Sequence, residues 1–247
     1  MSPVFSLTGL RRVAGRVKRR LLGGPETRRA AYKQVWDGQA GTEDAAKVAV
    51  AGYTDETEFA RQADATLGLL GETVGVRPTD VILEIGCGVG RVGRVLAPRC
   101  REWVGTDVSE KMLGFARHRL ADLPNVRTVA VSGYDLTPIP DASVDVVYCT
   151  VVFMHLDEWE RYRYVREAVR VLRPGGRLYV DNVNLLADEG WQFFENHLAL
   201  DPLSRPTWCG KTSTPQELAA YFHRAGLTDV RQKNQGLWVI TWGRKPG

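Results

Sequence analysis

From residue 81 onward, short apolar runs alternate with segments whose apolar residues recur at helical spacing. Seven runs have the composition of strands: VILEI, EWVGTD, VRTVAV, SVDVVYC, GRLYVDNV, TDVRQKN and GLWVITWGR. The last two runs are separated at Gln235 and Gly236. Strands that alternate with helices indicate a parallel sheet covered on both faces. We therefore predict an α/β fold, with a doubly wound, mostly parallel seven-stranded sheet that ends in an antiparallel C-terminal hairpin.

The residues before this sheet have a helical pattern. Residues 28–50 form one helix-like stretch, and Asp55 followed by Glu58 is a capping box that predicts a helix to about Val74. We expect three parts: a basic N-terminal arm over residues 1–29, a helical cover over 30–78, and the sheet domain over 79–247 with a lid at about 184–213.

The predicted lid is rich in aromatic residues and lies between the fifth strand and the last helix. A connection of this length is usually functional. Trp191, Phe193, Phe194 and Trp208 could stack on a ring or sugar, pack against the sheet, or form a contact between two copies in a homodimer. The cover adds Tyr32, Trp36 and Tyr53 on the opposite side.

Charge is distributed unevenly along the chain. The net charge is +4, but the arm alone carries eight basic residues against Glu26, which gives +7 and leaves −3 for the rest. Leu10, Val13, Val17 and Leu21 share one helical face, so the arm is either a weak membrane-surface or acidic-partner anchor or a solvated segment. The acidic body makes nucleic acid an unlikely partner and disfavours RNA as a substrate.

The four cysteines have neither the spacing of a zinc site nor that of a disulfide framework. They are Cys87, Cys100, Cys149 and Cys209. The sequence has no apolar run of about 18 residues and no apolar core of a secretory signal. We expect a cytoplasmic protein with reduced thiols.

A glycine-rich loop follows the first predicted strand. The strand Val81–Ile85 runs into Gly86, Gly88 and Gly90, and a helix follows from Arg91. Glycine allows a sharp turn and the close approach of a ligand to the backbone at a helix N-terminus. The pattern predicts a nucleotide-like ligand.

The same residues match a dinucleotide fingerprint if counting begins at Gly88, and Asp107 lies 19 residues beyond it. A nicotinamide-dependent enzyme is therefore an alternative. Because the strand ends at Ile85, the first glycine of the turn is Gly86, and this register puts Arg91 where a dinucleotide fold needs a small residue. The register argues against a dehydrogenase.

Asp107 ends the second strand and comes just before a helix that starts near Ser109. A carboxylate there can accept hydrogen bonds from both hydroxyls of a ribose lying across the strand ends. The alternative is that Asp107 only caps the following helix.

These motifs resemble the class I S-adenosylmethionine-dependent methyltransferases, in particular small bacterial enzymes with a LEIGCGxGR loop. The resemblance is clear over residues 79–183 and looser in the C-terminal hairpin. It rests on residues 84–91, 107–109, 133–136, 141–148 and 172–177. It implies a Rossmann-like methyltransferase fold and S-adenosylmethionine as the cofactor.

The resemblance also implies roles for individual residues toward the cofactor. The backbone of Gly86 to Gly88 would line the methionine portion, Asp107 would hold the ribose, and the carbonyl near Thr150 would face the methionine amino group. Met112 and Leu136 would flank the adenine.

Tyr134 or Asp135 would contact the edge of the adenine, although the family more often has Asp where this chain has Tyr134. The complete cofactor-binding set implied in this way is Glu84, Gly86, Cys87, Gly88, Arg91, Asp107, Val108, Met112, Tyr134, Asp135, Leu136 and Thr150.

His155 follows the fourth strand, at the edge where ligands bind in open α/β sheets. It is the candidate general base for an oxygen acceptor, or else it only bonds to a neighbouring loop or helix. Asp181, Asn182 and Asn184 end the fifth strand and either hold a divalent metal near the acceptor or only shape the pocket.

We expect O-methylation of a small molecule or saccharide, since the basic arm and this domain together resemble methyltransferases of polysaccharide and glycolipid pathways. One alternative is N- or C-methylation of a natural product or lipid. Another is a module that binds the cofactor without turnover.

Overall fold

The computed structural model describes residues 32–206 and 209–247, and the compact unit it contains runs from Lys33 to Gly247. The predicted basic arm and Trp208 lie outside the described residues. Eight strands form one sheet: β1 (Val81–Ile85), β2 (Glu102–Asp107), β3 (Val126–Ala130), β4 (Val144–Cys149), β5 (Leu172–Asn184), β6 (Thr212–Ser213), β7 (Thr228–Gln235) and β8 (Trp238–Arg244).

Eight α-helices accompany these strands in the described part of the chain: α1 (Tyr32–Gln39), α2 (Glu43–Ala51), α3 (Glu56–Thr73), α4 (Arg91–Leu96), α5 (Glu110–Arg119), α6 (Glu158–Val171), α7 (Asp188–Leu198) and α8 (Pro215–Arg224). Two short 3₁₀ turns, Ala97–Arg99 and Phe153–His155, follow α4 and β4. None of these helices is long and apolar enough to cross a bilayer.

The strand order is β3-β2-β1-β4-β5-β8-β7. Strands β1 to β5 are parallel, whereas β8 is antiparallel to β5 and to β7. The predicted α/β fold with a mostly parallel sheet and an antiparallel C-terminal hairpin is confirmed. Because the order reverses between β1 and β4, the crevice at their carboxyl ends is the usual ligand site of an open α/β sheet.

A two-residue strand, β6, was not predicted. It pairs in parallel with the end of β5, where Val183 lies opposite Thr212. A strand this short has no alternation of apolar and polar residues, so no sequence pattern reveals it. It joins the end of the predicted lid to the sheet.

The helical cover consists of three helices, because the stretch predicted as one helix over residues 28–50 breaks at Gly41. Thr42 caps α2 by accepting a hydrogen bond from the Ala45 amide. Asp55 caps α3 by accepting from the Glu58 amide at 2.8 Å, as the capping box predicted.

One cluster of buried side chains joins helix α3 of the cover to α4 and the sheet, and it includes Trp103 on β2, the largest fully buried side chain in the described residues. Its indole Nε1 donates to the Tyr148 hydroxyl at 3.0 Å. A Cβ added to Gly93 or Gly105 would lie 2.7 or 2.3 Å from the Trp103 ring. These two glycines therefore make room for the indole.

The predicted lid contains a helix. α7 begins four residues after β5 and presents Trp191, Phe194 and Leu198 to solvent along one side. Phe193 turns the other way, toward Gly210. This segment thus begins with an ordered helix that has an exposed apolar side, and a turn at residues 202–204 follows it.

Candidate active site

The glycine loop at the end of β1 has three left-handed residues. The φ angles of Gly86, Gly88 and Gly90 are 71°, 52° and 79°. A Cβ on Gly86 would lie 2.3 Å from Val152 Cγ2, and a Cβ on Gly88 would lie 2.6 Å from Val50 Cγ1. The loop therefore needs glycine for its backbone conformation and for the close packing of these two valines.

Asp107 ends β2 directly beside this loop. Its Oδ2 accepts from the Gly88 amide at 2.9 Å, and its Oδ1 accepts from the Ser109 amide at 2.9 Å. Burial raises the pKa of Asp107 to about 6, and the bonds from these amides oppose the rise. The carboxylate is thus held in one orientation at the strand ends, and each oxygen keeps a further lone pair for a ligand.

Glu84 lies on β1 beneath the loop and is buried. Its Oε2 accepts a short hydrogen bond from the Tyr148 hydroxyl, which itself accepts from Trp103. Burial raises the pKa of Glu84 to about 7, against the lowering effects of the Tyr148 bond and the Arg91 charge. The group is a buried carboxyl poised near neutral pH.

Arg91 is the first residue of α4, and its guanidinium lies close to the acidic groups of the site. Burial lowers its pKa, and the charges of Glu84 and Asp181 oppose that shift. Its Nη1 is buried and has no hydrogen-bond partner among the described residues. A buried guanidinium nitrogen without an acceptor is costly, so this atom marks a place for an anionic or carbonyl group.

The β4 end of the site carries backbone strain that the sequence analysis did not detect. Thr150 is buried, and Val151 after it has a φ of 60°, an outlier for a β-branched residue. The Asp181 Oδ1 accepts from the Val151 amide at 2.7 Å and holds this conformation. Burial raises the pKa of Asp181 to about 7. Strain of this kind concentrates at functional sites.

The residues expected around the adenine fall on two segments beyond β2 and β3. Met112 on α5 is buried, and Val108 just before that helix is half-buried. Leu136 is buried, and Glu167 accepts a hydrogen bond from its amide at 3.0 Å. Tyr134 and Asp135 share a turn in which both amides donate to the Ser132 hydroxyl.

The cover reaches the same site, a feature that the sequence analysis described only in outline. The Ser109 hydroxyl donates to Asp37 Oδ1 at 2.6 Å, which ties α1 to the residue that follows the Asp107 segment. Trp36 packs edge-on against the His155 ring at 4.8 Å between centroids. No signal in the sequence pairs Asp37 with Ser109, since 72 residues separate them.

His155 is half-buried in the 3₁₀ turn after β4, at the carboxyl edge as expected. Arg161 on α6 is buried and donates from Nε to the Phe153 carbonyl at 2.9 Å. Its Nη1 donates to the Thr212 carbonyl and the Ser213 hydroxyl. Arg161 therefore fixes the turn against β6, and the sequence analysis missed it because its partners lie far along the chain.

The residues proposed as metal ligands at the end of β5 make separate contacts. Asp181 bonds to the Val151 amide, whereas Asn182 donates to Ser213 and Asn184 donates to Asn234. Neighbouring strand residues point to opposite faces, so Asp181 and Asn182 diverge. In residues 32–206 and 209–247 there is no group of three His, Cys, Asp or Glu side chains that could hold a metal ion.

Comparison with known proteins identifies the class. A family model described as a methyltransferase domain matches residues 83–180, the segment from β1 to most of β5. Residues 83–180 thus form a methyltransferase domain, and the fold, the loop and the relatives support a class I S-adenosylmethionine-dependent methyltransferase. Its cofactor is S-adenosylmethionine.

Among particular relatives, the uncharacterized methyltransferase YcgJ of Bacillus subtilis is 28% identical over 200 residues, 79% of this chain and 76% of YcgJ. The 27-O-demethylrifamycin SV methyltransferase of Amycolatopsis mediterranei is 36% identical over 133 residues, 51% of this chain and 48% of that enzyme. The chain thus matches about half of the rifamycin enzyme.

The fold also matches solved structures. One is a SAM-dependent methyltransferase from Thermotoga maritima, described as a possible histamine N-methyltransferase. The TM-score is 0.62 at 20% identity, and the match covers 86% of this chain and 99% of that one.

Proposed function

We propose that the groups around the glycine loop hold S-adenosylmethionine in the orientation expected from the resemblance. The observation that carries the proposal is the buried Nη1 of Arg91, which lacks an acceptor among the described residues. The cofactor's methionine carboxylate is an anion that would satisfy it. Asp107, oriented by the Gly88 and Ser109 amides, would accept hydrogen bonds from the ribose hydroxyls.

The rest of the cofactor-binding set follows the same assignment. Gly86, Cys87 and Gly88 would line the methionine portion, and Glu84 would support the loop from below. The Thr150 carbonyl would face the amino group. The remaining members would surround the adenine and ribose: Val108, Met112, Tyr134, Asp135 and Leu136.

His155 would act as the general base of an O-methyl transfer. When bound, the cofactor supplies a sulfonium methyl group that a lone pair on an acceptor can attack. The half-buried His155 ring lies at the carboxyl edge of the sheet, backed by Trp36 and anchored through its turn to Arg161. A ring held in this way would be placed to accept the proton of an acceptor hydroxyl.

We propose a hydroxyl of a small molecule or saccharide as the acceptor. The rifamycin relative, named for a 27-O-demethyl substrate, supports an oxygen acceptor. N- or C-methylation of a natural product or lipid is the alternative, and cofactor binding without turnover is a further one. Detection of a methylated product from any acceptor would show turnover and would exclude a module that only binds the cofactor.

Expectations about the location and partners of the protein belong with this proposal. The four cysteines are free and buried, which is compatible with the reducing environment of the cytoplasm.

The exposed aromatic residues of α7 are compatible with a contact between two copies in a homodimer. We propose neither a nucleic-acid partner nor a resident metal. The predicted division at residues 29 and 78 and a weak membrane contact of the basic arm stay predictions.

The experiment is a radiolabelled methyl-transfer screen over sugars, phenols and amines, followed by the variant His155→Ala on the acceptor that reacts. We expect at least a hundredfold loss of turnover, since general-base catalysis contributes roughly 10²- to 10⁴-fold. Affinity for S-adenosylhomocysteine should stay within about twofold of wild type. His223→Ala, an exposed histidine on α8, is the control. Unchanged turnover in His155→Ala would overturn the assignment of the base.

A further inference from the structure

A cavity of about 530 Å³ lies beside α7, away from the glycine loop. We call it the α7 chamber. Its walls are formed mainly by Phe194 and Leu198 of α7 and by Pro206, Cys209, Gly210 and Lys211 of the segment that returns to β6. Its volume falls within the range of roughly 300 to 1,000 Å³ that is typical of small-molecule sites.

The α7 chamber is mostly apolar, and its apolar walls are open to solvent. Phe194 and Leu198 are 37% and 61% exposed, whereas Cys209 at the chamber wall is only 8% exposed. Leaving such side chains in contact with water forgoes the free energy that burial of apolar surface would provide. A ligand with an apolar body would recover that free energy by covering them.

Two cations face this apolar surface. Arg205 and Lys211 both lower the pKa of the Cys209 thiol, against the larger raising effect of burial, so both charges lie near Cys209. Lys211 is paired with Asp157 at 2.8 Å. Arg205 is exposed, and its Nη2 donates a long hydrogen bond of 3.4 Å to the Leu200 carbonyl. Arg205 therefore offers a positive charge to an anion.

The α7 chamber shares a wall with the turn that carries His155. The Lys211 amide donates to the Met154 carbonyl at 2.7 Å, and the Lys211 Nζ lies 3.5 Å from the His155 carbonyl oxygen. A Cβ on Gly210 would lie 2.9 Å from Met154 Cε. An acceptor seated in the chamber would therefore lie against the turn that carries the residue proposed as the base.

We propose that the α7 chamber binds the apolar part of the methyl acceptor and that Arg205 pairs with an anionic group on it. The acceptor class is thus an amphiphilic small molecule with an apolar ring or chain and a carboxylate, phosphate or sulfonate. A sugar without an apolar substituent would leave the chamber unfilled. This inference rests on the proposed function, since it names the acceptor of the same site.

The test uses two fluorescent probes that differ in one group. 1-Anilinonaphthalene-8-sulfonate carries a sulfonate, and N-phenyl-1-naphthylamine has the same rings without it. Both are titrated into the full chain in the presence of saturating S-adenosylhomocysteine. Arg205→Gln should weaken the sulfonate probe about tenfold, as expected for the loss of a charge-assisted bond, and should leave the neutral probe within about twofold.

A second pair of variants changes the apolar walls. Cys209→Phe fills the α7 chamber and should weaken both probes at least about tenfold. Leu198→Asp, at an exposed position that does not endanger folding, should do the same and decides the matter if Cys209→Phe does not fold. Leu203→Ala, 97% exposed and outside the chamber walls, is the matched control and should leave both probes unchanged.

The inference is overturned if both probes bind only when S-adenosylhomocysteine is left out, or if none of the three chamber variants changes their affinity. S-adenosylhomocysteine affinity is measured separately for each variant by calorimetry. If the wild type does not bind S-adenosylhomocysteine, the proposed function is refuted. If all proteins bind S-adenosylhomocysteine normally and the variants bind the probes as the wild type does, only the assignment of the α7 chamber is refuted.

Discussion

The proposed cofactor half of the site, around the glycine loop, and the proposed acceptor half, the α7 chamber, differ in how their polar groups are held. Around the glycine loop, Glu84 and Asp107 are buried and bonded to groups of the sheet and loop. In the α7 chamber, Leu198 and Arg205 are exposed, and Lys211 is partly exposed and pairs with Asp157. One half is prearranged and the other is open.

This difference follows from what each half must do. A cofactor shared by a whole class of enzymes favours a rigid site whose groups are oriented in advance, because preorganisation lowers the entropy cost of binding. An acceptor differs from enzyme to enzyme, and the proposed acceptor half lies on a separate helix and loop. The family match fits this division, since it ends at residue 180, before α7 begins.

The largest expected effect comes from removing the charge of Arg91, whose buried Nη1 in the proposed cofactor half has no hydrogen-bond partner among the described residues. Arg91→Met should weaken S-adenosylhomocysteine at least about thirtyfold, since removing one partner of a buried charge pair costs roughly 2–5 kcal/mol. Its free energy of unfolding should stay level or rise by about 1 kcal/mol, because the buried Nη1 has no acceptor. Calorimetry and urea unfolding measure the two effects.

Arg94→Met is the matched control for that change. Arg94 lies one turn further along α4, forms an ion pair with Asp122 and is exposed. It should leave cofactor affinity unchanged. Equal affinity losses in both variants would mean that the charge of α4, rather than the buried Arg91 Nη1, attracts the cofactor.

A smaller effect tests the loop itself. Gly88→Ala should lower the free energy of unfolding by about 2 kcal/mol, because Gly88 has positive φ and a Cβ there would lie 2.6 Å from Val50 Cγ1. Adding Val50→Ala should restore only part of the loss, since the φ strain remains. Gly68→Ala in α3, where a Cβ meets open space, should instead raise stability by up to about 1 kcal/mol. Urea unfolding would contradict this account if Gly88→Ala and Gly68→Ala behaved alike.

The smallest effect concerns the pH dependence of stability. The pKa of Glu84 is raised from 4.5 to about 7 in the folded protein. Between these values the folded state binds more protons than the unfolded state, so the stabilisation is full below pH 4.5 and is lost as the pH rises through 7. Glu84→Gln replaces the carboxyl by an amide that does not ionise. The substitution should therefore reduce the loss of unfolding free energy between pH 5 and pH 8 by about 1–3 kcal/mol.

Unfolding free energies at pH 5 and pH 8 measure this change. The slope should not vanish entirely, because the pKa values of Asp181 and Asp107 are raised to about 7 and about 6. If Glu84→Gln leaves the pH dependence of the unfolding free energy unchanged, another group is responsible for that dependence. A slope of opposite sign would contradict the burial argument.

Most of the sheet was predictable from the sequence because each parallel strand is a short apolar run bounded by turn residues. The cap at Asp55 was predictable because a capping box is local. Strand β6 was not predictable, since two residues are too few to form a pattern. The break at Gly41 was not predictable either, because the cap at Thr42 does not interrupt the spacing of apolar residues strongly. Helix α7 was hidden by the aromatic composition of its segment.

The site was predictable where backbone conformation dictates residue type. The glycines of the loop and the carboxylate ending β2 are of this kind, and all three loop glycines have positive φ. Contacts between distant segments were not predictable: Asp37 with Ser109, Asp181 with the Val151 amide, and Arg161 with the His155 turn. Such pairs depend on the tertiary arrangement, which one sequence does not encode locally.

The central claim is that Asp107 and the glycine loop bind the nucleoside of S-adenosylmethionine. The most direct measurement is calorimetric titration of S-adenosylhomocysteine into the wild type, Asp107→Asn and the exposed control Asp122→Asn. We predict saturable one-to-one binding that Asp107→Asn weakens about thirtyfold, as two hydrogen bonds to a charged acceptor would require, and that Asp122→Asn leaves intact. Absence of binding by the wild type, or equal binding by Asp107→Asn, would contradict the account.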